Sequence, residues 1–146
     1  MITENNVIYY AKIDQNGEII VPKTSVIGES ENILIRKEDD LTFSIYDLIE
    51  YKKILEKLKQ ASEMAISCGN IKRKKFFDEY IKELSFSVLD VIRKDSSNKV
   101  LIPNCVKDMY DIEDRVLVCD GIDHIKVFKN DENKKEYEKR LINIFK

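Results

Sequence analysis

Few side chains in this sequence of 146 residues have the chemistry of a catalytic or metal site. The single histidine is His124, and the three cysteines, Cys68, Cys105 and Cys119, show no CxxC spacing. This leaves too little material for a zinc site or a histidine-dependent triad. Glycine-rich phosphate loops and a GxSxG motif are also missing from the sequence. The sequence therefore predicts no enzyme, no metal ion and no cofactor, and it predicts that the cysteines are reduced, small and buried.

The remaining candidates for a functional site are basic side chains in and beside two similar nine-residue segments, here called strings. These are Asp14-Gln-Asn-Gly-Glu-Ile-Ile-Val-Pro22 and Asp95-Ser-Ser-Asn-Lys-Val-Leu-Ile-Pro103. Each begins with an aspartate and ends with three aliphatic residues and a proline. If both strings lie on one face, the basic side chains in and around them can contact the phosphates of nucleic acid. The alternative, a set of solvated surface charges, stays open for these candidates: Lys99, Arg93, Lys94, Lys12, Lys23 and Lys107.

The two aspartates also have a purely structural interpretation. An aspartate side chain accepts from backbone N–H groups two residues on, which starts a chain reversal. Gly17 and Asn98 occupy matching positions, and both residue types tolerate a positive φ. A hairpin is therefore predicted at Asp14 and again at Asp95. The prolines cannot donate to a strand ladder, so both are predicted at strand ends.

The similarity extends beyond the strings and indicates an internal repeat. A strand-like segment precedes each string, and two more follow it before a helical pattern begins. The chain is predicted to be a single β-rich α+β domain, 1–146. Its parts are a first repeat with its helix, 7–66, a linking helix, 67–84, and a second repeat with its helix, 85–146.

Helical patterns complete each repeat. Asp47 is predicted to cap the first helix, with Glu50 as its capping-box partner, and Gly69 is a plausible stop signal. A second helix is predicted near 71–84, which makes a linking pair, and a closing helix over about 131–145. Because four strands alone bury too little apolar surface, the two halves are predicted to pair into one pseudo-twofold barrel.

These features resemble the MraZ family of bacterial transcriptional regulators, which belongs to the AbrB-like swapped-hairpin DNA binders. The family carries two Asp-x-x-x-Arg motifs, each followed by aliphatic residues and a proline. They match Asp14…Glu18 and Asp95…Lys99, and 102–118 follows the family pattern of Ile-Pro, a polar turn and a strand. The resemblance implies an AbrB-like fold, binding to short promoter repeats in double-stranded DNA, a ring-like homo-oligomer, and a place at the nucleoid in the cytoplasm.

The sequence departs from the family at both motif arginines. Glu18 inverts the charge, and Lys99 keeps the charge without the planar fork that reads a guanine edge. The second copy is therefore expected to dominate DNA binding, flanked by Arg93, Lys94 and Lys107. The alternative is an oligomeric interaction or assembly protein of the same fold that has lost DNA binding.

Overall charge and hydropathy set further limits. The net charge is -2, which favours the alternative, since dedicated nucleic-acid binders are more often basic. No apolar run approaches the length of a membrane span, so no membrane association is expected. The densest basic run, Lys72-Arg-Lys-Lys75, falls where a helix is predicted to begin, which is unfavourable for the helix dipole. A binding role and a solvated face both remain open for this run.

Overall fold

The computed structural model describes residues 7–94 and 97–144. Asp95 of the second string lies outside the described residues. The elements in chain order are β1 Val7–Lys12, β2 Glu18–Ile20, β3 Asn32–Lys37, β4 Thr42–Asp47, α1 Leu48–Ser67, α2 Ile71–Phe86, β5 Val88–Arg93, β6 Lys99–Leu101, α3 Asn104–Met109, β7 Arg115–Asp120, β8 His124–Phe128 and α4 Asp131–Ile144.

The strands form two antiparallel sheets, which confirms the predicted α+β class. Six strands pair in the order β1-β7-β8-β4-β3-β5, and β2 pairs with β6 as a separate ribbon. The same neighbours result if β1 is interchanged with β5, β2 with β6, β3 with β7 and β4 with β8. The strand pairing therefore treats the two halves of the chain alike. In the described part of the chain the larger sheet stays open at β1 and β5. The predicted closed barrel is therefore not found, because β2 and β6 leave the edges and pair with each other.

The main core lies between the ribbon and one face of the six-stranded sheet. Side chains alternate along a strand, so Ile33 and Ile35 face the ribbon while Leu34 faces the other way. Ile19 and Val100 fill the centre of the ribbon's inner face and are fully buried. The ribbon is thus fixed to the sheet through its inner side chains, and its outer side chains are left to solvent.

The opposite face of the sheet carries helices. Asp47 accepts from the N–H of Glu50 at 3.1 Å and caps α1, as predicted. Gly69 has φ of 73° at the break between α1 and α2, which confirms the predicted stop. Tyr51 of α1 joins the two helices, because its hydroxyl donates to the Leu84 carbonyl of α2 at 2.6 Å. Its ring also packs against Tyr46 of β4, with 4.9 Å between the ring centres, which joins the pair to the sheet. The short helix α3 was not predicted, because only Val106 of its six residues is buried and no helical period develops.

None of the helices in the described ranges combines the length and apolar character that a membrane crossing requires.

A glycine near the ribbon gives a first testable prediction. A Cβ on Gly28 would lie 2.5 Å from the Lys23 carbonyl oxygen and 2.7 Å from that of Pro22. Because both are backbone atoms, Gly28→Ala should lower the free energy of unfolding by about 1–3 kcal/mol. The control is Gly69→Ala, where no atom lies within 4 Å and only the positive φ opposes a side chain, at about 1 kcal/mol. Urea unfolding measures both, and an equal or smaller loss for Gly28→Ala would contradict the prediction.

Candidate nucleic-acid interface

The first turn is organised by Asp14. Its Oδ1 accepts from the backbone N–H of Asn16 at 2.8 Å and of Glu18 at 3.0 Å. Its carbonyl oxygen accepts from Gly17 N at 3.0 Å, and Gly17 has φ of 80°. The predicted turn role of Asp14 is therefore confirmed, and the same prediction for Asp95 lies outside the described residues.

The two strings, which are distant in sequence, meet in the ribbon. The register pairs Glu18 with Leu101, Ile19 with Val100, and Ile20 with Lys99. Further bonds extend the pairing at both ends: Ile102 N donates to the Gly17 carbonyl, and Val21 N donates to the Asn98 carbonyl, each at 2.9 Å. Each turn therefore lies beside the strand end of the other string, and the two copies form one surface.

The outer face of the ribbon carries the charges that differ from the family motif. Lys99 is exposed at the start of β6, and Glu18 is half-buried at the start of β2. Glu18 begins β2 and Lys99 begins β6, so the two residues occupy equivalent positions in the two halves of the chain. The ribbon is therefore symmetric in backbone and antisymmetric in charge, with a cation near one end and a carboxylate near the other.

Lys107 belongs to the first turn, although the sequence suggested that it flanks the second. Its Nζ lies 3.6 Å from the position that a Cβ on Gly17 would take. The reason is the exchange of strands: β6 crosses to β2, and α3 follows it and carries Lys107 to the opposite copy. A positive charge therefore stands beside the turn that presents Glu18.

Lys94 lies inside the protein and not on the surface predicted from the sequence. Its side chain is 5% exposed. The ammonium donates to the carbonyl oxygens of Gly28 at 2.8 Å and Ser30 at 3.2 Å, and also to that of Ser97. Burial lowers the pKa of the Lys94 ammonium below its ordinary value. Lys94 therefore joins the second turn to the loop before β3, and its buried ammonium is not exposed for contact with DNA.

The other predicted cations separate into two groups. Lys12 and Arg93 end the edge strands β1 and β5, next to Ala11 and Ile92, which pack into the core beneath the ribbon. Because side chains alternate, Lys12 and Arg93 project from the opposite, helix-bearing face of the sheet. Lys23 is exposed in the loop just after β2. The structure thus places Lys99 on the ribbon, Lys107 beside its first turn and Lys23 in the loop after β2, and it leaves Lys12 and Arg93 on the other face of the sheet.

The basic run Lys72–Lys75 occupies the first turn of α2, as predicted. Asn70 caps this end of the helix, because its side-chain oxygen accepts from Arg73 N at 3.1 Å. Lys74 pairs with Asp78 one turn along the helix, and the Arg73 guanidinium lies 6.0 Å from the centre of the Phe77 ring. Two of the four cations of this run, Arg73 and Lys74, are therefore engaged in contacts within α2 itself.

The buried ammonium gives a second prediction. Lys94→Ala would leave three backbone carbonyls without their donor, so it should lower the free energy of unfolding by about 3 kcal/mol. Lys12→Ala removes the same charge from an exposed strand end and should change stability by less than about 0.5 kcal/mol. Chemical denaturation followed by circular dichroism measures both values. Equal losses for the two variants would show that the Lys94 contacts do not stabilise the fold.

Comparison of the chain with models of known protein families gives no match, and comparison with curated proteins gives none. The resemblance to the MraZ family therefore remains an expectation that depends on the two motif copies and the order of elements.

Proposed function

We propose that this protein is a DNA-binding transcriptional regulator of the MraZ type, built from duplicated AbrB-like hairpin repeats. It would contact short repeats in promoter DNA as a ring-like homo-oligomer at the nucleoid. The observation that carries the proposal is the β2–β6 ribbon, which joins both motif copies into one exposed surface. A two-stranded ribbon of this kind fits the major groove of B-DNA.

Electrostatics supports contact through this surface despite the net charge of -2. Lys99 is on the ribbon, Lys107 lies beside its first turn, and Lys23 is exposed in the loop after β2. Cations in contact with phosphates neutralise them and release counterions. Lys107 also places a positive charge beside the first turn, next to the strand end that presents Glu18. Local charge therefore favours DNA at the ribbon, while most of the acidic side chains belong to other elements.

The proposal is tested by binding at varied salt. The chain is titrated into a duplex from its own gene's upstream region and into a mixed-sequence duplex of the same length. Three phosphate contacts per protomer should make log K fall with log salt concentration at a slope of about -2.7. Absence of binding to both duplexes at low salt would overturn the proposal.

Self-association is supported by apolar side chains that the chain leaves uncovered. On α2, Phe86 is 80% exposed, Ile71 77% and Phe76 62%. Exposed apolar side chains of this size are candidates for protein contacts, and among the described residues β1 is an edge strand with a partner on one side only. Light scattering at micromolar concentration is expected to give a multiple of the 17.2 kDa chain mass. A mass of one chain would contradict the ring.

The alternative function is an oligomeric interaction or assembly protein of the same fold. The observation in its favour is Glu18, which places a carboxylate on the ribbon where the family has an arginine. The two functions separate in the experiments above: an oligomer that binds neither duplex at low salt supports the assembly protein.

A further inference from the structure

The outer face of the ribbon carries two exposed aliphatic side chains that the charged residues do not explain. Alternation directs Ile19 and Val100 inward, so Ile20 and Leu101 point outward with Glu18 and Lys99. Ile20 is 60% exposed and Leu101 37%. Single exposed aliphatics are common on protein surfaces, but these two occupy equivalent positions of the two strings. The ribbon therefore presents a matched apolar pair at the centre of its outer face.

The register fixes the spacing of this pair. Ile20 lies opposite Lys99, and Leu101 is two residues further along the same strand, so the two are diagonal neighbours. Such neighbours in an antiparallel pair are about 7–8 Å apart. Successive bases of one DNA strand rise about 3.4 Å along the helix axis, so the pair spans about two base-pair steps.

The major groove offers one apolar group to such a pair. Among the four bases, only thymine displays a methyl group there, at C5. Lys99 lies opposite Ile20, and Lys107 lies beside the first turn. If the ribbon enters the groove, these two lysines face the phosphates that border the groove. Apolar contact in the centre and cations at the margins match the arrangement of methyl groups and phosphates in the groove.

We propose that Ile20 and Leu101 are specificity-determining residues that contact the C5-methyl groups of thymines about two base-pair steps apart. This inference rests on the proposed function, because it requires the ribbon to enter the major groove. It assigns sequence discrimination to aliphatic side chains, and it leaves Lys99, Lys107 and Lys23 to supply affinity that does not depend on sequence.

The test removes the methyl groups from the DNA and keeps the protein intact. A mixed-sequence duplex rich in thymine is compared, at fixed low salt, with the same duplex containing deoxyuridine at every thymine position. Each methyl group buried against an aliphatic side chain is expected to contribute about fourfold in affinity. With two contacts, the full-length protein should bind the thymine duplex about tenfold or more tightly than the deoxyuridine duplex.

Variants then assign the effect to the two residues. The double variant Ile20→Ser with Leu101→Ser, which leaves no methyl group at either position, should bind both duplexes with the affinity that the unaltered protein shows for deoxyuridine. The matched control is Ile122→Ser, in the turn between β7 and β8, where the side chain is 86% exposed. It should retain the full preference for thymine, and circular dichroism should show that all variants keep the fold.

The outcomes separate this inference from the proposed function. Equal binding of both duplexes by the unaltered protein would overturn the inference and leave the proposed function standing. Binding of neither duplex would overturn the proposed function and the inference with it. If the double variant instead lowers the oligomer mass in light scattering, the outer face of the ribbon is a protein interface and the inference is overturned.

Discussion

Ile45→Ala is expected to lower the free energy of unfolding by about 2–5 kcal/mol, because it opens a cavity at the centre of the main core. Ile45 is fully buried on β4 and lies opposite Ile35 on one side and Ile125 on the other. These three isoleucines form a row across the middle of the sheet beneath the ribbon. Their neighbours belong to paired strands, so the backbone has little freedom to close the cavity.

The same substitution at Ile122 is the matched control, since that side chain is 86% exposed and should change stability by less than about 0.5 kcal/mol. Urea unfolding followed by circular dichroism measures both variants, with the slope against denaturant checked for constancy. Similar losses at the two positions would mean that Ile45 does not lie in a close-packed core, and would contradict the fold.

Local structure was largely predictable from the sequence. The cap at Asp47, the break at Gly69 and the turn at Asp14 each depend on residues within four positions of one another. Such short-range chemistry is present in the sequence itself. The α3 helix is one exception, because a six-residue helix with one buried side chain has no period to detect. The predicted burial of the cysteines is another and was wrong, since Cys68 and Cys105 are exposed and Cys119 is half-buried.

Strand partners were not predictable in the same way. Alternation in β1 shows which side chains face a core, but it does not show that β1 pairs with β7 and leaves β2 to pair with β6. The predicted barrel assumed closure, whereas the ribbon removes β2 and β6 from the sheet edges. Pairing between distant segments is decided by the packing of the whole domain.

The candidate site shows the same limit. The sequence predicts Lys94 on the surface beside the second string, yet two carbonyls of the distant loop before β3 and one from its own turn enclose its ammonium. Lys107 was placed at the second turn because it is near that string in sequence, but the crossing of β6 carries it to the first. In the sequence Ile20 is simply one of three aliphatic residues before Pro22, and alternation within a three-residue strand is the signal that places it outside.

The charge difference between the two motif copies gives the largest expected change in DNA binding. Lys99→Ala removes one attraction to phosphate, worth about 1 kcal/mol or fivefold in affinity, and should make the salt slope shallower by about one. Glu18→Arg replaces a repulsion by an attraction and should tighten binding by about 25-fold on the same scale. The two variants should therefore differ roughly hundredfold at low salt.

Low salt is essential to this comparison, since exposed charges are screened over about 8–10 Å at ordinary ionic strength. Lys59→Ala is the matched control: it removes one positive charge from the exposed surface of α1, on the face of the sheet opposite the ribbon. Its affinity should stay within about twofold of the unaltered protein, because a phosphate contact must be local to change the slope. If Glu18→Arg and Lys99→Ala both leave affinity unchanged while DNA still binds, the ribbon is not the reading surface. The basic run Lys72–Lys75 on α2 then becomes the next surface to test, by the same loss of one charge at a time.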